Sequence, residues 1–266
     1  MKKIIKWFFN QFGYELVKSA SGMPPSSLLF SNFTNITFAY EFLIQQTDGI
    51  HLNNNVSRAL LLARLRGTPP AEAYFIIKAL FQVQHINGDV CEFGVAQGET
   101  SALIANEILA GDKRFHLFDS FQGLSTPTLQ DELKDDILAL GEMSAYKGKM
   151  SFQKNWVTSR LHALNFPVDR YTLHEGFIDE VISANVHLPQ KVSFAYVDFD
   201  LYAPIRSALN FLHTRTDSGA IIIVDDYDFF STGAKTAVDE FIQENFEYQI
   251  EIPSADFGHF AILRKK

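Results

Sequence analysis

The chain has 266 residues, 47% of them hydrophobic and 20% charged, a balance that suits one large α/β core and excludes a disordered chain. Its formal net charge of −8 argues against nucleic acid as a partner, because binding a phosphate backbone needs a basic face. The one cysteine, Cys91, allows no internal disulfide, and no apolar run approaches the ~20 residues of a membrane span, so a cytoplasmic location is expected.

In chain order, residues 1–18 combine four lysines with a dense apolar set in which Ile4, Phe8 and Phe12 fall at helical spacing. Two readings compete: a helix lying on the inner, anionic face of a membrane, or a helix packed on protein or across a dimer. The second is preferred, and a homo-oligomer is expected. Residues 19–35, with Gly22, Pro24 and Pro25, read as a loop. Residues 38–80 look helical, with Thr68-Pro-Pro-Ala-Glu72 opening the last helix and Glu72 complementing its dipole. Residues 1–70 are therefore expected to form a helical extension on a main domain of residues 71–266.

That domain alternates strands and helices. Asp89 to Phe93 is a strand that enters a turn with Gly94 and Gly98, and residues 102–109 form the helix after it. The glycines let backbone approach a nucleoside closely, and the helix start offers free amides. Phe115-His-Leu-Phe118 is the second strand and stops at Asp119, 119 − 94 = 25 positions past the first glycine, where an acid is suited to a ribose hydroxyl pair. Residues 122–167 are a long insertion, with a helix over 151–164, of the kind that serves as a lid. Strands follow at 170–174, 193–197, 219–224, 248–252 and 259–263, with helices at 203–213 and 235–244. The expected fold is a doubly wound, mostly parallel seven-stranded α/β sheet.

Four carboxylates end two of these strands. Ser193-Phe-Ala-Tyr-Val runs into Asp198 and Asp200, and Gly219-Ala-Ile-Ile-Ile-Val runs into Asp225 and Asp226. Ligands bind beyond the carboxyl ends of such strands, and four crowded acids resist joint ionisation. A divalent cation that prefers oxygen resolves the conflict.

Taken in order, EFGVAQGETS, FDSFQGLSTP with Asp131 following, HEGFIDEVI, YVDFDLY and IIVDDYDFFSTGAKTAVDEFI make residues 55–264 resemble the macrocin O-methyltransferase family of class I, Rossmann-like S-adenosylmethionine-dependent enzymes. The resemblance implies methylation of a sugar hydroxyl on a glycan, a lipid-linked sugar or a glycosylated natural product. It implies magnesium on Asp198, Asp225 and Asp226, and Asp200 as general base. It further implies cofactor contacts from Glu92, Gly94, Gly98, Thr100 and Ser101 in the first turn, and from Asp119 and Ser120 after the second strand. Gly176, Phe177 and Asp179 would lie at the adenine, and Asp198 would also touch the cofactor.

The chemistry is coherent with that implication. An alcohol is a poor nucleophile near neutral pH, so a metal that polarises its oxygen and a carboxylate that takes its proton are both useful. Magnesium keeps several non-protein ligands, so an acceptor with vicinal hydroxyls is expected. His116 and His174 are competing bases, though strand histidines are more often structural. Tyr202 and Tyr227 flank the acids and either shape the acceptor pocket or simply pack. Catechol-type enzymes resemble this chain in fold and metal use, but carry lysine after the DxD-like pair and asparagine after the next aspartate. Leu201 and Asp226 stand there instead. A non-catalytic scaffold would not need all four acids.

Overall fold

A computed structural model of the protein describes residues 26–47 and 58–266. The expectations for residues 1–18 lie outside the described residues. Helix α1 (Ser26–Thr47) already covers part of the stretch read as a loop; local punctuation by Gly22, Pro24 and Pro25 was extended too far along the chain. Short α2 (Arg58–Leu62) and α3 (Pro70–Gln82) follow, the latter opened by Pro70, which needs no amide partner at a helix start. No described helix is long and apolar enough to cross a membrane.

The sheet consists of β1 (Asp89–Phe93), β2 (Phe115–Asp119), β3 (Tyr171–Glu175), β4 (Val192–Val197), β5 (Thr216–Val224), β6 (Tyr248–Glu251) and β7 (Ala261–Lys265), in the order β3-β2-β1-β4-β5-β7-β6. The first five pair in parallel, and β7 is antiparallel to both β5 and β6. Strands buried on both faces explain the unbroken apolar runs. Period-two alternation splits them between two cores: Phe194, Tyr196, Ile221 and Ile223 face one side, and Ala195, Val197, Ile222 and Val224 the other. Helices α3, α4 (Glu99–Ile108) and α5 (Lys154–Ala163) supply the first core. Helices α6 (Ile178–Ala184), α7 (Tyr202–His213) and α8 (Thr232–Glu244) supply the second.

Strand order reverses between β1 and β4, and their carboxyl ends lead into Gly94 and Asp198. Gly94 has φ +83°, and a Cβ there would overlap the Asp198 carbonyl oxygen, so only glycine lets the two strand ends close up. The crevice at this reversal is where an open α/β sheet binds ligands.

Between β2 and β3 the insertion is anchored rather than loose. A small core of Met143, Tyr146, Leu201 and Phe230 joins it to the stretch after β4. Buried Asp131 crosses to α7, where its carboxylate accepts the Tyr202 amide at 2.8 Å and the Thr128 amide at 2.7 Å. Asp131 thereby caps a helix from outside its own chain segment.

Candidate active site

A cavity of about 720 Å³ opens at the carboxyl ends of β1, β2, β3, β4 and β5. Its walls include Gly94, Asp119 and Ser120, then Gly176, Phe177 and Asp179, and finally Asp198, Asp200, Asp225 and Asp226. Most of the residues expected at a nucleoside cofactor are thus brought to one space. Glu92, Gly98, Thr100 and Ser101 are not on its walls. Glu92, Thr100 and Ser101 are buried beneath the first turn, where Glu92 lies against Ser101 and Thr100 Oγ1 is 2.8 Å from Thr68 Oγ1. Gly98 serves packing: a Cβ there would lie 3.1 Å from Cα of Val157 in α5.

Asp119 fixes the turn it faces. Its Oδ2 accepts the amides of Val95 and Ala96 at 2.7 and 2.9 Å, and Oδ1 accepts that of Phe121 at 2.6 Å. The carboxylate assigned to a ribose therefore also clamps the glycine turn to the end of β2. Ser120 donates to the Gly123 carbonyl at 3.1 Å and accepts the Gln122 amide at 3.0 Å, which shapes the next turn.

The acid pairs converge, with one rearrangement of roles. Ligand oxygens of Asp198, Asp200 and Asp226 lie within 4.8 Å of one another. Asp200 and Asp226 both sit in the left-handed region, at φ +60° and +57°, which aspartate tolerates better than most residues. Asp225, also on the cavity wall, is tied to the protein interior: Tyr196 Oη is 2.6 Å from Asp225 Oδ2 and 3.2 Å from Glu72 Oε1. Glu72 is fully buried and its Oε2 has no partner. Glu72 lies in the first turn of α3, as its position indicates, and its burial in this group is a second role that position alone did not show.

Burial raises every one of these acids. Asp198 is pushed well above the carboxylate range by burial and then by Asp225, and Asp226 by burial and then by Asp225 and Asp200. Burial also raises Asp225, and it takes Asp200 to about 6 against the lowering effect of a hydrogen bond with Asp226. Three converging hard oxygens that repel one another fit a divalent cation such as magnesium.

The other candidates fall away from this space. His116 and His174 are buried, their ring nitrogens 2.9 Å apart, and neither lines the cavity. Burial first, then His116 and His187, hold His174 down to about 4. Tyr202 and Tyr227 bond to Glu240 and Asp239, at 2.6 and 2.8 Å, and also lie off the cavity wall. Glu99 pairs with Arg160 of α5. Sequence reading missed Glu72 and Tyr196, whose signals are a helix start and a strand tyrosine two places before Asp198. It also missed two cations on the cavity wall, Arg66 and Lys147.

Solved structures share this fold. The O-methyltransferase NovP aligns with TM-score 0.63 at 16% identity, covering 88% of this chain and 99% of its own. CalS11, a calicheamicin methyltransferase, aligns with TM-score 0.59 at 18% identity, over 92% of this chain and 99% of its own. Apo CalS11, described as a TDP-rhamnose 3'-O-methyltransferase of calicheamicin biosynthesis, aligns with TM-score 0.52 at 18% identity, over 88% and 93%. No protein of curated function is significantly similar in sequence. The profile of the macrocin-O-methyltransferase (TylF) family matches residues 76–260, from within α3 to the residue before β7. The chain therefore belongs to the macrocin-O-methyltransferase family and is an S-adenosylmethionine-dependent O-methyltransferase.

Proposed function

We infer that the chain methylates a hydroxyl of a sugar carrying vicinal hydroxyls, in a magnesium-dependent reaction with Asp200 as general base. The observation that carries this reading is the convergence of Asp198, Asp200 and Asp226 within 4.8 Å at the switch point of the sheet. Sugar as the acceptor is favoured by the family, and CalS11 is described as acting on TDP-rhamnose. Leu201 and Asp226, in place of the lysine and asparagine of catechol-type enzymes, favour it over a phenol.

Asp198 and Asp226, whose oxygens converge with that of Asp200, would hold the ion, and Asp225, on the same cavity wall and bonded to Tyr196, would be a third ligand. When bound, the ion polarises the hydroxyl oxygen and offsets the repulsion among the acids. Asp119, Ser120 and the Gly176–Asp179 turn would hold the nucleoside so that the sulfonium methyl faces that oxygen. Bound S-adenosylmethionine would supply its sulfonium methyl to that oxygen and leave as a neutral thioether, and Asp200 would take the hydroxyl proton. Asp200, raised to about 6, is poised to accept that proton near neutral pH. The sulfonium needs no acid, so alignment and electrostatics do the rest.

The test is a pair of isosteric variants. Asp200→Asn is expected to lower turnover by roughly 100- to 10,000-fold with binding of cofactor and magnesium retained. Asp198→Asn is expected to weaken magnesium binding, with rate partly restored by added metal. Near-normal turnover in Asp200→Asn, or full wild-type activity in excess chelator, would sink the reading.

A further inference from the structure

Helix α1 is apolar on two opposite sides. Its inner side, with Thr37 and Ile44 buried and Tyr40 half-buried, packs on the protein. On the opposite side stand Ile36, Phe38, Phe42 and Leu43, which are 51%, 50%, 68% and 40% exposed, with exposed Asn35 and Ala39 among them. The helix has one charged residue, Glu41, and it is used inward: Arg58 of α2 lies 3.6 Å from it and also bonds Glu107 of α4 at 2.8 Å. The outer side therefore presents two phenyl rings and two branched aliphatic chains, and no charge. A helix apolar all round is ordinarily covered on both sides, and a contiguous exposed patch of this kind marks an interaction surface.

Charge is distributed unevenly along the chain that leads to this face. Residues 1–18 hold Lys2, Lys3, Lys6 and Lys18 against one acid, Glu15, a net +3 in a chain of −8, so the remaining residues carry −8 − 3 = −11. No charged residue stands between Lys18 and Glu41. Basic charge, an aromatic set of Trp7, Phe8, Phe9 and Phe12, and the uncharged outer side of α1 thus follow one another in sequence. A second copy seated on α1 about a two-fold axis would bring two basic segments and two acidic bodies together. An anionic lipid surface takes up the basic segment and the apolar side chains, and leaves the acidic body in water. Residues 1–18 read alone favour a protein partner; the uncharged outer side of α1 beside them favours lipid.

We propose that the outer face of α1, with the basic segment that precedes it, docks the protein on a membrane surface rich in anionic lipid. The proposal stands apart from the methyltransferase reading, since none of these residues lines the cavity. The rings of Phe38 and Phe42 enter the boundary between headgroups and acyl chains, Ile36 and Leu43 widen the buried stripe, and the lysines meet lipid phosphates. The pairing of Glu41 with Arg58 keeps the one acid of α1 away from that surface.

The experiment is flotation of the full chain with vesicles of phosphatidylcholine alone and of phosphatidylcholine mixed with phosphatidylglycerol. The wild type is expected on the mixed vesicles, with binding that weakens as salt rises, and not on the neutral ones. Phe38→Gln/Phe42→Gln and, separately, Lys2→Gln/Lys3→Gln/Lys6→Gln are each expected to weaken that binding about tenfold or more. Because the two phenyl rings stand in solvent, the first variant is expected to melt no lower than wild type without lipid, and both variants to keep wild-type affinity for S-adenosylhomocysteine. A wild type that stays in solution with both kinds of vesicle would overturn the proposal, and so would wild-type vesicle binding in either variant. A lipid-free dimer that Phe38→Gln/Phe42→Gln turns into a monomer gives the face to a second copy. A fall in the melting temperature of that lipid-free variant, with no change in mass, gives it to residues 1–25 lying against α1. Either result also overturns the proposal.

Discussion

Tyr196 has one hydroxyl proton and two carboxyl groups within reach, Asp225 at 2.6 Å and Glu72 at 3.2 Å. One proton cannot satisfy both, so another partner must carry its own. Burial, and then Asp225, push the Glu72 carboxyl well above the carboxylate range, which favours Glu72 as the member of the group that keeps a proton. The group supports Asp225 from beneath the cavity floor. Tyr196→Phe removes the donor and leaves two buried acids facing each other. Magnesium affinity is expected to fall about tenfold, the usual loss for a hydrogen bond to a charged group, with S-adenosylmethionine affinity within about twofold. Calorimetry of each ligand checks this, and unchanged magnesium binding would show that Asp225 needs no support. Nothing local in the sequence points to this group, because Glu72 and Tyr196 are 124 positions apart and an acid three places into a helix reads as a dipole complement.

Whole elements were more legible than the contacts between them. The ends of β4 and β5, Phe194–Val197 and Ala220–Val224, are unbroken apolar runs because helices cover both faces, and they are followed by the very acids that form the site. The start of α1 was not legible, since Gly22 and the two prolines after it masked a helix that begins at Ser26. Gly98 was read as room for a ligand, whereas Val157, some sixty residues on, occupies that room. The insertion was legible in its extent but not as a structural brace. Its Asp131 caps α7 one residue after Leu201, so it sets where the Asp200 turn meets the helix. Asp131→Ala is expected to cost about 1–2 kcal/mol of stability, as lost helix caps do, and to lower turnover while sparing cofactor affinity. Urea denaturation together with single-turnover kinetics tests it. A stability loss with full turnover would confine Asp131 to a structural role.

Over the whole molecule, the cluster concentrates unfavourable charge in a chain that is already negative. Asp198, Asp225 and Asp226 are raised chiefly by burial, and Asp200 moves from an ordinary value near 3.8 to about 6. A carboxyl with a raised folded pKa binds its proton more tightly folded than unfolded, so its favourable contribution is present at low pH. That contribution is lost as pH rises through the interval from about 4 to 6 for Asp200, and the raised carboxyls of Asp198 and Asp226 act in the same direction. The metal-free protein should therefore lose stability across this range. Magnesium should restore it, and more at pH 8 than at pH 5.5, because the ion competes with protons for the same oxygens. At a hundredfold excess over Kd the gain is about 2.7 kcal/mol, or roughly 5–10 °C in Tm for a chain of this size. Asp198→Asn should remove part of the repulsion, so its metal-free form melts higher than wild type at pH 8 while its response to magnesium shrinks. Melting curves in chelator and in magnesium at the two pH values decide the matter. A magnesium response that is equal or larger at pH 5.5 would mean that the raised carboxyls are not the groups that bind the ion.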